Sequence, residues 1–297
     1  MSISAKAPRP LDHLVLPTAD LGIARAKLTA LGFTVAPVGI HPFGTENACV
    51  YLADGTFLEP LAIGDAVRVD AAAAERNVFV TRDRQFRGRN GAEGFSALVF
   101  GTSDADADHA AFVDAGVSAG PRLDFSRPFV DGSGKTDTAS FRLAFAADDR
   151  EPDAFFFTCE RVNAPKVDRS ALEAHANGAR RIVGIVAVSA DPAADAGSLG
   201  AIAGVDGVAA AGNGIEFELP NAAFALTDPA GLKTDFGVDL PFAPGLRLSA
   251  IVFGVKDLAR TESLFIANAM DYHRRGSRLI VSPAAGQGAI FAFEEFS

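Results

Sequence analysis

The 297-residue chain has no tryptophan, two tyrosines and two cysteines. Cys49 and Cys159 stand far apart in apolar, strand-like runs. That leaves neither a disulfide framework nor a paired-cysteine metal knuckle, and a reducing, cytoplasmic address is expected. Positive charge is also scarce: 27 Lys and Arg against 37 Asp and Glu give a formal net charge of −10. Phosphate backbones and anionic membrane surfaces both call for a dense basic face, so neither nucleic acid nor membrane is an expected partner. Apolar runs such as Ile182 to Ala190 fall well short of the roughly 20 residues that cross a bilayer. The stretch Met1 to Pro10 has no apolar h-region, so no secretory signal is expected. Glycine-rich nucleotide motifs and a Gly-x-Ser-x-Gly frame are missing too, which argues against nucleotide binding and serine-hydrolase chemistry.

Phenylalanine is abundant at 24 residues, and 29 glycines are scattered rather than clustered. With 48% hydrophobic and 22% charged residues the composition is that of a globular protein. Leu11 to Pro17 reads as a strand, Asp20 as a helix cap, and Ala24, Leu28 and Leu31 as one apolar helix face. Gly32 suits the left-handed residue after that helix. Phe33 to Ala36, Ala48 to Ala53 and Thr56 to Ile63 read as three strands, the last two joined by the turn signal Asp54-Gly55.

The order β-α-β-β-β recurs. A second copy opens at Phe95, with a helix over Asp104 to Ala115 ended by Gly116 and strands at Ser140 to Ala146 and Ala154 to Glu160. A third opens at Arg181, with a helix from Asp191 to Ala203 and strands at Gly214 to Leu219 and Ala222 to Thr227. A fourth opens at Leu246, with a helix from Asp257 to Ala269 and strands at Arg278 to Val281 and Ala289 to Phe293. His13, Ala97, Gly184 and Ser249 align as the third residue of each opening strand. Repeats of this length are supersecondary units that bury their faces on one another.

Leu11-Asp12-His13-Leu14-Val15-Leu16-Pro17, Leu31-Gly32-Phe33 and Asp54-Gly55-Thr56-Phe57-Leu58-Glu59 resemble the first module of the vicinal-oxygen-chelate superfamily, and within it the glyoxalase-like domain branch. His41-Pro42-Phe43-Gly44-Thr45-Glu46-Asn47 and His175-Ala176-Asn177-Gly178-Ala179 also resemble stretches of that branch. The resemblance is strongest over about residues 10–180. It implies an α+β fold of four βαβββ modules forming two cupped mixed sheets. Residues 1–170 are expected to form a glyoxalase-like domain with the active site, and 171–297 a second, degenerate domain. It further implies a divalent metal, with Zn, Ni, Mn, Fe and Mg all open.

The implied activity is that of a metal-dependent lyase or isomerase acting on a small oxygen-chelating substrate. The alternative is a metal-free protein that sequesters a hydrophobic ligand. His13 and Glu59 sit at the branch's first two ligand positions, and an imidazole nitrogen and a carboxylate oxygen on neighbouring strands can share an ion. By strand alternation Asp12 and Leu14 are expected on the opposite face. The partner module would supply two more ligands, but Ala97 and, by residue count, Thr158 stand there. Modules three and four offer Gly184 with Leu226 and Ser249 with Glu294. Ring-cleaving dioxygenase chemistry is not expected, since Gly184 and Ser249 replace the histidines it uses. Glu160 and His175 are the candidates to complete the shell. Glu160 has a solvated strand end as its plainer reading, His175 a loop role before Asn177-Gly178.

Glu59 and Glu160 are the candidate catalytic carboxylates, and His41 and Asn47 candidate substrate contacts. The basic run Arg82 to Arg89 reads as a solvated linker or, through Arg84, as an arginine clamp for an anionic substrate. Cys159 reads as a buried thiol. The expected partner is a small-molecule substrate, with a homodimer left open.

Overall fold

A computed structural model of the chain describes residues 8–130, 136–148, 152–165, 167–210, 212–241 and 245–296. The first module comprises β1 (Leu11–Pro17), α1 (Leu21–Ala30), β2 (Gly39–Ile40), β3 (Thr45–Asn47), β4 (Val50–Tyr51) and β5 (Phe57–Ile63). Two helices follow, α2 (Ala66–Ala74) and α3 (Val78–Asn90). The second module is β6 (Ala97–Thr102), α4 (Ala105–Asp114), β7 (Leu123–Val130), β8 (Thr136–Ala146) and β9 (Phe155–Asn163). The third is β10 (Ala179–Val188), α5 (Pro192–Ala203), β11 (Val208–Ala209), β12 (Ile215–Glu218) and β13 (Ala223–Thr227). After α6 (Pro229–Phe236) the fourth is β14 (Arg247–Val255), α7 (Leu258–Ala267), β15 (His273–Arg275), β16 (Arg278–Val281) and β17 (Ile290–Glu295).

The four-module α+β architecture stands, in two mixed sheets. In each module the opening and closing strands pair in parallel: β1 with β5, β6 with β9, β10 with β13 and β14 with β17. The opening strands of paired modules run antiparallel, β1 against β6 and β10 against β14. The first sheet has the order β2-β3-β5-β1-β6-β9-β8-β7 and the second β11-β12-β13-β10-β14-β17-β16-β15. Each module helix starts at an aspartate, Asp20, Asp104, Asp191 or Asp257, whose carboxylate accepts from a backbone N–H of the first turn. The first two end at Gly32 and Gly116, with φ of 85° and 71°, values a side chain would strain.

Strand alternation divides the core. Leu14, Leu98, Phe112, Ile185, Phe253 and Phe265 belong to one cluster in which α1, α4, α5 and α7 pack between the helix-facing sides of both sheets. The other face of each sheet forms a cup. In the first, Val15, Val99, Phe145 and Phe157 form an apolar cluster with Val69 of α2 and Phe79 of α3. In the second, α6 lays Leu232 and Phe236 onto Val186, Ala250, Val252 and Ile290, so part of that cup is filled by the chain itself. A further cavity of 610 Å³ lies between the end of α3 and α6.

Three expectations need correction. Residues 33–36 join no sheet; Ala36 N only donates to Cys49 O at 2.8 Å. The basic run is not a linker but part of α3, held down by the buried Arg87–Asp83 pair at 2.8 Å and by Arg87 donating to Leu61 O at 2.8 Å. The strand β7 lies in a stretch given no strand above. Among the described residues no helix is long and apolar enough to cross a membrane.

Candidate active site

The first cup is a cavity of 790 Å³, within the size range of small-molecule sites. Its polar floor comes from the first module. In the parallel pairing of β1 with β5, His13 stands opposite Phe57 and Val15 opposite Glu59. Strand parity therefore turns both His13 and Glu59 into the cup. Glu59 is only 4% exposed and His13 only 6%. The expected convergence is present: His13 Nε2 lies 3.5 Å from Glu59 Oε2.

Two further expected residues join them. Asn47, on β3 beside β5, donates from Nδ2 to Glu59 Oε1 at 2.7 Å. His41 brings Nε2 to 3.6 Å from the same oxygen and has Nδ1 2.9 Å from Thr45 Oγ1. Aromatic rings fix both imidazoles: His13 stacks on Phe57 at 4.4 Å and His41 on Phe43 at 5.0 Å.

Asp12 departs from simple alternation. The register of β1 against β6 shifts between Leu11 and His13, and such an irregularity re-aims a side chain. Asp12 Oδ1 thereby comes 2.6 Å from His13 Nδ1, and its carboxylate accepts twice from Arg161 Nη2, at 2.8 and 2.7 Å. Leu14 faces the helices as expected.

The protonation pattern follows. Burial alone would lower the His13 pKa, but hydrogen bonds to Asp12 and Glu59 and their charges outweigh it, and the net shift is upward. Burial would raise Glu59; hydrogen bonding and charge from His13, with help from His41 and Asn47, bring it down to about 2. His13 thus lies between two carboxylates, both of which favour its protonated form. His41 is the opposite case: burial dominates, Glu59 offsets only part of it, and the pKa falls to about 4. Burial pushes the Cys49 thiol up to about 12 and the Cys159 thiol upward as well. Both cysteines line the cup as neutral thiols.

His41 carries a pH prediction. Its folded pKa lies below the ordinary 6.5, so its contribution to stability is complete above pH 6.5 and is lost as pH falls toward 4. The loss is bounded at roughly 3 kcal/mol. Urea unfolding at pH 7.5 and pH 4.5 should show a smaller acid loss in His41→Gln than in wild type. His13 acts with the opposite sign, so equal losses in the two proteins would mean that His41 is not held neutral.

The other expected site residues lie elsewhere. Glu160 sits on the helix-facing side of β9, where Oε2 accepts from Ala105 N at 3.0 Å; it caps α4. His175 has Nδ1 accepting from Thr34 N at 3.0 Å and Nε2 2.9 Å from Tyr51 O. Both its nitrogens are taken by backbone. Arg84 is exposed on α3 and donates to Asp70 Oδ1 at 2.9 Å. None of the three lines the cup.

Residue count also misplaced one position. Ala97 pairs with Phe155 as His13 pairs with Phe57, so Phe157, not Thr158, stands where Glu59 stands in the first module. Ala97 and Phe157 hold no metal. In the second sheet Leu226 faces the helices and Glu294 pairs with Arg278 at 2.6 Å. Asp12, expected on the opposite face, lines the cup, as do Arg127, Arg161 and Tyr51, which the expectations did not name. The period-two series Phe157, Cys159, Arg161 was the signal available for Arg161.

The donor set fits a divalent ion as a two-residue grip. The 3.5 Å from His13 Nε2 to Glu59 Oε2 is the separation of two ligands each about 2.0–2.2 Å from one ion. Asp12 on the far nitrogen of His13 is the carboxylate that orients a ligating imidazole. His41 addresses the other Glu59 oxygen, and among the described residues no group of three or more His, Cys, Asp and Glu side chains forms a metal cluster.

Paired βαβββ modules around such a cup define a protein of the vicinal-oxygen-chelate class. The profile of the glyoxalase-like domain matches residues 11–202, well over half of the chain, and the chain belongs to that family. No curated protein matches significantly. Among solved structures, a hypothetical protein from Staphylococcus aureus is similar at TM-score 0.66 and 15% identity, over 97% of this chain and 99% of that one. A mutant 4-hydroxymandelate synthase from Streptomyces coelicolor is similar at TM-score 0.60 and 12% identity, over 96% and 92%. The Mn(II)-bound glyoxalase from Novosphingobium aromaticivorans is similar at TM-score 0.52 and 11% identity, over 97% and 82%. At these identities the likeness is one of fold.

Proposed function

We propose that the protein is a divalent-metal-dependent enzyme of the lyase or isomerase type, moving a proton on a small substrate with neighbouring oxygens. The observation that carries this reading is the buried Glu59 carboxylate facing His13 Nε2 at 3.5 Å on the floor of an open cup. His13 and Glu59 would hold the ion, with His41 beside them. When bound, the ion supplies Lewis-acid polarisation of substrate oxygens.

The chain's own residues do the rest. Asp12 accepts from His13 Nδ1 and so keeps Nε2 directed at the cup. Asn47 anchors Glu59 Oε1, which leaves Oε2 turned to His13 and the ion position; a proton taken and returned by Glu59 would go to whichever of its oxygens does not hold the ion. The depressed pKa of Glu59 keeps it ionised across the neutral range. Phe57, Phe79 and Phe157 exclude water around it, where each charge interaction is stronger than in bulk solvent.

A second reading has its own observation. Since Ala97 and Phe157 contribute no donors, the cup also suits a metal-free protein that sequesters an apolar ligand. Metal analysis of protein purified without chelator, then dialysed against Mn, Zn, Ni, Fe and Mg salts, separates the two. The enzyme reading expects one ion per chain, lost in His13→Ala. Affinity should weaken as pH falls, because the proton on His13 competes for the same nitrogen. Metal-free protein under every condition, carrying a co-purified apolar molecule, would establish the sequestering role instead.

A further inference from the structure

The carboxylates deepest in the cup already have partners. Asp12 is bound twice by Arg161, and Glu59 is bonded to Asn47 and faces His13. Asp168, nearer the mouth, accepts from Ser170 N at 2.9 Å, and Glu173 lies at the same rim. Two more guanidinium groups line this cavity, Arg127 on β7 and Arg169. Among the described residues no carboxylate pairs with either. Arg127 lies over the Phe141 ring at 5.9 Å and Arg169 over Tyr51 at 4.6 Å.

The chain makes room for Arg127. A Cβ at Gly39 would collide with both Arg127 Nη1 and Asn47 Oδ1, although the backbone there is not in the left-handed region. Glycine at this position is therefore a matter of space. It seats the guanidinium beside Asn47, the same side chain that holds Glu59. Around that seat the walls are apolar and flat: Phe43 and Phe125 meet at 5.3 Å, and Phe125 stacks with Phe141 at 5.1 Å. A guanidinium without a counter-ion in such surroundings binds a carboxylate strongly and with fixed geometry.

We infer that the cup selects an aromatic carboxylate with a second oxygen function next to the carboxyl group. The carboxylate sits on Arg127, the ring lies among Phe43, Phe125 and Phe141, and the second oxygen points toward His13 and Glu59. Only the last element rests on the enzyme reading; anion recognition stands on Arg127, Gly39 and the phenylalanine walls.

Titration calorimetry with benzoylformate, its methyl ester and pyruvate tests this. Wild type should bind benzoylformate about tenfold or more tighter than the uncharged ester, the scale of a charge-assisted hydrogen-bonded pair, and tighter than pyruvate, which lacks the ring. Arg127→Met should bring acid and ester to equal affinity while leaving the ester unchanged. Gly39→Ala, which keeps the charge but displaces the guanidinium tip, should narrow the gap between acid and ester without closing it. Melting curves confirm that each variant is folded, and Arg127→Lys serves as a milder replacement.

Repeating the titration in EDTA-treated protein and in Glu59→Gln separates this inference from the enzyme reading. Retained preference for the acid there supports anion recognition even if no ion binds and no turnover occurs. Equal affinity for acid and ester in wild type, an unchanged preference in Arg127→Met, or no binding of benzoylformate at millimolar concentration overturns it.

Discussion

Glu59→Gln is expected to weaken divalent-ion binding by at least about 100-fold, the upper end of what losing a mere outer-shell partner costs. A hard or borderline cation needs the carboxylate's charge, which the amide lacks. Volume is conserved, and the amide oxygen can still accept from Asn47 Nδ2, now at 2.7 Å from Oε1, so the fold should persist. His13 would lose one of the two carboxylates that hold its pKa up. Equilibrium dialysis with Mn or Zn measures the effect. Glu160→Gln is the control: it weakens the bond to Ala105 N at the start of α4, costs about 1 kcal/mol of stability and leaves ion binding at the wild-type level. Wild-type ion content in Glu59→Gln, or its loss in Glu160→Gln, would refute the assignment.

Phe33→Ala is expected to cost about 3–5 kcal/mol of stability, the range for emptying a buried phenylalanine site. Phe33 follows α1 in the first module and is 3% exposed, yet most of its ring neighbours belong to the fourth. It meets Phe253 at 5.1 Å, Phe293 at 6.0 Å and Phe291 at 6.3 Å, and His175 at 5.4 Å. The ring thus ties the two sheets together. Side-chain bonds to backbone reinforce the joint: Asn177 Nδ2 donates to Leu31 O at 2.8 Å, and Thr261 Oγ1 to Asn177 O at 2.7 Å. Denaturant unfolding followed by circular dichroism gives the number. A loss under about 1 kcal/mol would show that neighbouring side chains collapse into the space.

The module order could be read in the chain because each helix carries its own boundaries, an aspartate before it and, in the first three modules, a glycine after it. The helices that escaped, α2, α3 and α6, lie between modules, although each is capped in its turn, by Asp65, Asn77 and Asp228. Phe79, Asp83 and Phe86 of α3 are buried at helical spacing, but the middle one is an aspartate, so no apolar periodicity shows in the sequence. Within the site, His13 and Glu59 were legible through alternation along continuous strands. Asp12 was not, because a local register shift breaks the alternation. Phe157 was missed by one residue, a slip that changes the face of every position in a strand, because pairing and not counting sets the register. Arg127 was out of reach once β7 had gone unassigned. Glu160 and His175 were read as ligands by chemical type, and their hydrogen bonds to backbone of distant elements leave no trace in local sequence.

The occupation of the second cup by Leu232 and Phe236 gives the molecule two halves of one topology with different thermodynamic linkage. The half covered by α6 carries that guest covalently, at a concentration that never changes. The hollow half gains stability only as RT ln(1 + [L]/Kd) of whatever enters it, about 2.7 kcal/mol at a hundredfold excess over Kd. Amide exchange in β1, β5, β6 and β9 should therefore slow as ligand is added, while exchange in β10, β13, β14 and β17 responds only through the joint at Phe33.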